Sequence, residues 1–348
     1  MKITQLMLSK GFGGAERYFV DLSQALAEAG HDVQVICHKR FKQAEALRKF
    51  PSIHIQTVAS MGWWDLWAKR KIRSFIIAYQ PDVVQAHLAR GAHMSGKICR
   101  NLNLPLIVKT HNYVDLKYYH HISCFVPTTD DQKTYLIEHG VNPDKIRVIP
   151  NFSSITPVEN AELKESENYV IISYGRFVKK KGFDILLKAV KRLVDSGKKL
   201  HLLIGGDGPE HNNLRNLSDK LDLGESIEFT GWVDDIQAFA NKGEIFVLPS
   251  LDEPFGIAVL EMMALGKPII ATRTKGPMEI LEEDTAYLVE PGNEKSLADV
   301  LSKAIEDGKG RREKAAKALQ VFREKYAKEV VVEKLINLYQ DLIKQKSK

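Results

Sequence analysis

Glu253 and Glu261 are two carboxylates with seven residues between them, in the stretch Leu248–Pro268, LPSLDEPFGIAVLEMMALGKP. After a short apolar strand, Ile245–Leu248, the Pro249/Ser250 and Glu253-Pro254 signals make a loop. From about Gly256 the apolar positions Ile257, Leu260 and Met263 recur at helical spacing, until Gly266 and Pro268 stop the helix. Glu261 then lies roughly 8 Å along the axis from the first turn, at about 1.5 Å per residue, which is the reach of a diphosphate plus a ribose. Backbone amides and the positive dipole end at such a helix start suit a phosphate, and Gly256 lets a ligand approach closely. A carboxylate on either side accepts sugar hydroxyls, Glu253 from a hexose and Glu261 from a ribose. The competing reading, which holds for most isolated pairs of glutamates, is a solvated loop charge and a surface helix residue.

Three further loops carry residue types that match this chemistry. Strand Tyr169–Tyr174 leads into Gly175–Gly182, GRFVKKKG, where Arg176 and Lys181 stand five residues apart across a glycine-bounded turn and can converge on a diphosphate. Lys179 and Lys180 read as solvated. Leu200–Ile204 leads into Gly205-Gly206-Asp207-Gly208-Pro209, a wall for a nucleotide base. At the start of the chain, strand Ile3–Leu8, loop Ser9–Gly14, helix Ala15–Ala29 and strand Val33–Ile36 form a β-α-β unit, with Gly11, Gly13 and Gly14 in its loop. A dinucleotide site is the rival here. Against it, Glu16 replaces the third glycine of G-x-G-x-x-G, and the second strand ends in Cys37-His38-Lys39-Arg40 without the acid a ribose requires. His87 and His111 end or follow strands Val83–Ala86 and Leu106–Lys109, where ligands of doubly wound sheets bind. His87 reads as a satisfied structural group.

Glu-Pro-Phe-Gly followed by Glu261 resembles the E-x7-E signature of the retaining glycosyltransferases of family 4, which have the GT-B fold. The resemblance covers nearly the whole chain, most specifically residues 175–182 and 249–268. It implies that Glu253 contacts the donor sugar, that Glu261 contacts the donor ribose and that Pro254, Phe255, Gly256, Ile257 and Gly206 belong to the donor site. Arg176 and Lys181 would be the cationic clamp, Gly13 and Gly14 would lie beside the diphosphate and the acceptor, and His111 would donate to a hydroxyl of the transferred sugar. The mechanism implied is attack by the acceptor on the face the diphosphate leaves, with a donor phosphate oxygen taking its proton. No metal or other cofactor is expected, since the cations take that role. Asp130-Asp131 and Asp234-Asp235 read as helix caps rather than metal ligands.

The fold expected is α/β, two doubly wound Rossmann-like domains facing across a cleft. The first, acceptor-binding, would span 1–155 and the second, donor-binding, 165–327. Asn151–Glu167 would serve as linker, and Arg147–Pro150 as the last strand of the first half. Beyond Ile269–Ala271, helices are expected at Met278–Leu281, Asn293–Ile305, Arg311–Lys325 and Lys328–Lys344. The last would pack back onto the first domain through Val332, Leu335, Ile336, Tyr339, Leu342 and Ile343.

The chain's 348 residues, 44% hydrophobic and 27% charged, accommodate two cores. A net charge of +6 suits polyanionic ligands or an anionic surface, and no nucleic-acid-binding motif accompanies it. Three scattered cysteines suggest neither a disulfide framework nor zinc, and no apolar run approaches the ~20 residues needed to span a bilayer. A cytoplasmic protein is expected, at the membrane's cytoplasmic face if the following stretch binds lipid. In Met61–Tyr79, read as one helix, Ala68, Ile72, Phe75, Ile76 and Tyr79 share a buried face, while Trp63, Trp64 and Trp67 share another with Arg70 and Lys71. That second face suits an anionic bilayer, an acceptor pocket or packing under a loop. The function expected is transfer of a hexose from a UDP- or GDP-sugar to a hydroxyl of a glycan or glycolipid, in cell-surface polysaccharide or lipopolysaccharide synthesis. A nucleotide-sugar epimerase and a non-catalytic sugar-nucleotide binder remain the alternatives.

Overall fold

The computed structural model describes residues 1–11, 13–161 and 168–346. Phe12 of the first glycine loop, the last part of the expected linker (162–167) and residues 347–348 lie outside the described residues. The chain divides into two units, Met1–Phe152 with Lys328–Lys348, and Ser153–Ala327. The first unit thus closes at Phe152 rather than at residue 155, and Ser153 already bridges to Ala327 of the second.

The first unit holds six parallel strands, β1 (Lys2–Met7), β2 (Asp32–His38), β3 (Ile53–Val58), β4 (Val83–His87), β5 (Leu106–Thr110) and β6 (Cys124–Pro127), in the order β3-β2-β1-β4-β5-β6. All pairs are parallel and in register, for example Met7 with Cys37 on one side and with His87 on the other. Helices cover both faces, so β1 and β4 are buried almost end to end, with Thr4, Gln5, Gln85 and His87 buried among their apolar residues. Arg147–Pro150 is not a strand. Its amides at Arg147 and Ile149 do bond to Phe125 and Pro127 of β6, but Pro150 has no N–H to extend the ladder. The strand there is β6, four residues closed by a proline, too short to stand out by periodicity.

The second unit repeats the plan with β7 (Tyr169–Tyr174), β8 (Leu200–Gly205), β9 (Ile227–Gly231), β10 (Ile245–Leu248), β11 (Ile269–Thr272) and β12 (Tyr287–Val289), ordered β12-β11-β10-β7-β8-β9, again all parallel. In each unit the chain first builds outward on one side and then returns to the other side of its first strand. The reversals fall between β1 and β4 and between β7 and β10. At such a reversal adjacent crossovers diverge to opposite faces and open a crevice beyond the carboxyl ends of the strands.

The helix Lys328–Lys346 completes the first unit's core. Val331, Val332, Leu335, Leu338 and Tyr339 are buried among Ile3, Met7, Tyr18, Leu22 and Leu26. Ile336, Leu342 and Ile343, expected in its buried stripe, lie only partly covered at the margin, because the contact face is rotated toward Val331 and Leu338. The helix expected over Arg311–Lys325 is Gly308–Val321 followed by a π turn, Phe322–Tyr326.

Candidate functional site

Four of the expected residues come together at the β7/β10 reversal. Because β7 and β10 are neighbours, the loop after β7 lies against the loop after β10: the amides of Leu251 and Asp252 both bond to the carbonyl of Lys180, at 2.8 and 3.2 Å. Gly182 makes this approach possible. It sits at φ 65°, and a Cβ there would stand 2.1 Å from the carbonyl oxygen of Pro249. With the loops so close, the Lys181 ammonium rests directly on Glu253 Oε2, to which Ser250 Oγ also donates at 3.4 Å. Glu253 is 7% exposed, which excludes a solvated loop charge.

Arg176 lies at the mouth of the same loop, exposed, and its guanidinium pairs with no described residue. Gly206, after β8, closes in on the other side at φ 140°, where a Cβ would collide with the carbonyl of Gly175 at 1.9 Å. Phe177 N–H donates to Asp207 and so ties the two glycine loops together. Lys180 reaches Asp252 at 3.7 Å across exposed surface, in keeping with a solvated role.

The helix that follows runs Ile257–Ala264 and starts from Gly256, which is left-handed at φ 97° and caps it with no side chain. The first-turn amides of an α-helix have no intrahelical partner, so this start retains its anion-binding capacity. Pro254 and Phe255 are held in place from behind: Gly276 N–H donates to the Glu253 carbonyl at 2.9 Å and packs against the Phe255 backbone. Glu261 is no surface residue. It is 2% exposed, and Tyr174 at the end of β7 donates its hydroxyl to Oε2. Tyr174 was missed from the sequence, since a tyrosine in a strand is ordinary. Its position next to Gly175 was the available signal.

In the first unit, the carboxyl ends of β1, β4 and β5 gather Gly13, Gly14, His87 and His111. Gly13 is the cap of the helix Gly14–Glu28, and Glu16 in its first turn folds back to accept from Ser9 Oγ. His111 is buried, with Nε2 3.1 Å from His87 Nδ1. His87 is fully buried and also bonded to Gln5, as a satisfied structural group should be. Burial, helped by the nearby Lys109 ammonium, pushes the His87 pKa down to about 3. Burial also holds His111 well below the usual histidine range, with His87 and Lys109 adding to it. Lys109 itself is fully buried, donates to the Ile149 and Pro150 carbonyls and is driven well below the ordinary lysine range by desolvation.

The tryptophan stretch is not one helix. The helix begins at Leu66, because Asp65 caps it by accepting from Ala68 N–H at 3.0 Å while also holding Met61 N–H at 3.2 Å. Trp63 and Trp64 therefore precede it in a loop. Trp63 packs its edge on His93 and faces Tyr118, whereas Trp67 is 79% exposed with the Arg70 guanidinium 5.6 Å from its ring. Lys71 lies over Phe75 rather than a tryptophan. Met61, Trp64, Leu66 and Trp67 together leave an exposed apolar surface with cations beside it. Among the described residues no helix is long and apolar enough to cross a membrane, and no three histidine, cysteine or acidic side chains are grouped to hold a metal ion.

Two parallel six-stranded sheets, each with glycine loops and polar residues at its reversal, are the two halves of a GT-B fold, and comparison with known proteins identifies the class as glycosyltransferase. Residues 12–154 match the model for Glycosyltransferase Family 4 and residues 155–321 that for Glycosyl transferases group 1, and the chain belongs to this family. The lipopolysaccharide core biosynthesis glycosyltransferase LpsD of Rhizobium meliloti is 29% identical over 94% of this chain and 95% of its own. The gpi3 subunit of the phosphatidylinositol N-acetylglucosaminyltransferase of Schizosaccharomyces pombe is 26% identical over 85% of this chain and 70% of its own. Among solved structures, Anabaena HepE in complex with UDP and glucose superposes with a TM-score of 0.82 at 19% identity, over 98% of this chain and 100% of that one.

Proposed function

We propose that the protein transfers a hexose, with retention, from a UDP- or GDP-sugar to a hydroxyl of a glycan or glycolipid in lipopolysaccharide or related cell-surface glycan synthesis. The observation that carries this reading is the gathering of Lys181, Glu253, Gly256 and Glu261 at one sheet reversal, with the exposed Arg176, which pairs with no described residue, on the same loop as Lys181. The diphosphate lies against Arg176, Lys181 and the amides after Gly256. Glu253, held by Lys181, accepts from the hexose, Glu261 accepts from the ribose, and Gly206 walls the base. As the glycosidic bond to the leaving diphosphate breaks, negative charge grows on its oxygens, and these fixed donors stabilise it. The acceptor attacks from the same face, and a donor phosphate oxygen takes its proton. The first unit, through Gly13, Gly14 and His111, serves the acceptor and the transferred sugar. The UDP and glucose complex of HepE and the core-biosynthesis role in the name of LpsD support the donor and acceptor classes.

The test is incubation with UDP- and GDP-hexoses, with and without lipid-linked glycan acceptors, following nucleotide release and the anomeric configuration of the product by NMR. Acceptor-dependent release with a retained anomer is expected. An epimerised donor, or binding without release, sinks the reading. Turnover is also expected to survive excess EDTA, because Asp235 is spent capping a helix on Ala238 N–H and Asp131 is bonded to Tyr113. Activity lost to EDTA and restored by Mg²⁺ or Mn²⁺ overturns the metal-free assignment.

The Met61–Trp67 surface, with Arg70 and Lys71, is assigned to anionic lipid at the cytoplasmic face of the membrane. Cations near such a surface contribute about 1 kcal/mol each, so removing Arg70 and Lys71 together should weaken partitioning roughly thirtyfold. Sedimentation with phosphatidylglycerol vesicles measures this, with Trp64→Ala and Trp67→Ala expected to act in the same direction. Unchanged binding by all of these variants would leave an acceptor pocket or loop packing as the use of the tryptophans.

A further inference from the structure

Basic side chains collect where β1 and β2 end and the helix after β4 begins. Leu8 follows Met7, the ladder partner of Cys37, so its carbonyl comes beside His38 at the end of β2. Arg90, in the first turn of the helix Leu88–Asn101, donates to that carbonyl at 3.2 Å. Lys10 stands two residues further along the loop after β1. Arg40 stands two residues beyond His38, whose Nδ1 accepts from the Arg40 N–H at 3.1 Å. Burial holds the His38 pKa below the usual histidine range, Lys10, Arg90 and Arg40 press it lower, and only a bond to the Ser60 backbone acts against them. No carboxylate takes part.

The same sign continues along the helix. His93 is three residues on from Arg90, on the same face. Its Nε2 lies 3.5 Å from the Lys69 ammonium, and after burial it is Lys69 and His120 that lower its pKa. The acids at the margins are already engaged: Glu16 accepts from Ser9 Oγ, and Asp65 from the amides of Met61 and Ala68. Lys10, Arg40 and Arg90 form no ion pair with a described residue. Cations from three loops held this close repel one another, and a bound anion relieves that repulsion. The helix start that carries Arg90 adds free amides of the same polarity.

We propose that Lys10, Arg40 and Arg90 hold a phosphate group of the acceptor, with Lys69 and His93 extending the site toward the tryptophan surface. The inference rests on the transferase reading and narrows its acceptor to an anionic one. β1 and β4 flank the reversal of this sheet, so the phosphate sits at the edge of the crevice where the accepting hydroxyl is expected. That phosphate is carried on a sugar of the glycan or links the glycan to its lipid. Both present the same oxygens to a guanidinium fork.

Inorganic pyrophosphate is the first probe, added to the full-length protein while the imidazole resonances of His38 and His93 are followed by NMR. Both should shift saturably. Lys10→Gln and Arg40→Gln change exposed side chains without described partners, and each should weaken this binding about tenfold, the loss of one charge-assisted contact. Lys181→Ala, in the other unit, should leave the His38 and His93 shifts as they are. Kinetics then compare acceptors with and without phosphate. Arg40→Gln should raise the KM of a phosphorylated acceptor about tenfold, move kcat and the donor KM little, and leave the dephosphorylated acceptor unaffected. Pairing a free glycan phosphate with a lipid-linked diphosphate shows which source the site reads, since only the matching acceptor responds to the variant. Unmoved His38 and His93 resonances, or an equal KM change with and without phosphate, overturns the proposal. Pyrophosphate binding that Arg40→Gln weakens, in a protein that transfers no sugar, would keep the anion site and remove the transferase reading instead.

Discussion

Lys181→Ala is expected to lower kcat by about 10²- to 10³-fold, the usual cost of deleting one fixed donor aimed at charge that builds in a transition state. The side chain has two contacts to lose. One is the ion pair with Glu253, present in the structure; the other is the proposed contact to the departing diphosphate. A double-mutant cycle separates them. If the pair is only structural, Glu253→Gln in the Lys181→Met background should recover what the single change loses, since no buried carboxylate is then left uncompensated. If each residue touches the donor, the double variant stays as slow as the worse single variant. Lys181→Arg should fall between, because the planar fork keeps the charge but cannot occupy the same point against Glu253. Steady-state kinetics with saturating acceptor measure each of these proteins, and an unchanged kcat in Lys181→Ala would place the diphosphate elsewhere.

Acid should destabilise the first unit steeply. The folded pKa values of His87 and His111 are both depressed by burial, the first to about 3. In the unfolded chain a histidine titrates near 6.5. Between those values only the unfolded state takes up the proton, so stability falls as pH falls, by about 1.4 kcal/mol per pH unit for each ring. Going from pH 6.5 to pH 5, His87 alone removes roughly 1.7 kcal/mol, against the 5–15 kcal/mol typical of a domain, and His111 adds to the loss with the same sign. His31, His38 and His93, depressed chiefly by burial, act with the same sign. Urea melts followed by tryptophan fluorescence report mainly on this unit, since Trp63, Trp64 and Trp67 lie in it and only Trp232 lies in the other. A midpoint that does not move between pH 6.5 and 5 would mean that the rings are not held neutral.

Much of the architecture was legible because parallel strands covered on both faces leave long apolar words. Tyr169–Tyr174 and Ile245–Leu248 have the bounds read from composition and turn signals alone. The misreadings share a physical cause. β6 and β12 are four and three residues long, and β3 is an edge strand that alternates with polar residues. Their existence depends on a neighbouring ladder that local pattern does not reveal. Asp65 shows the opposite failure: the signal, a capping acid inside a supposed helix, was present and was outweighed by the aromatic periodicity. The residues around Glu253 could be proposed because glycines and prolines announce the loops that carry them. Tyr174 and Gln5 could not, because a buried polar side chain is recognised only by its partner, and here partners lie 87 and 82 residues away.

The order in which the polypeptide leaves the ribosome does not match the order of its units. Residues Ser153–Ala327 include everything their own sheet and helices require. The first unit, although its strands emerge earlier, lacks Val331, Val332, Leu335, Leu338 and Tyr339 until translation has passed through the whole of the second. During synthesis the amino-terminal sheet therefore waits with one apolar flank uncovered, and the carboxyl-terminal sheet is the first to reach its native complement of contacts.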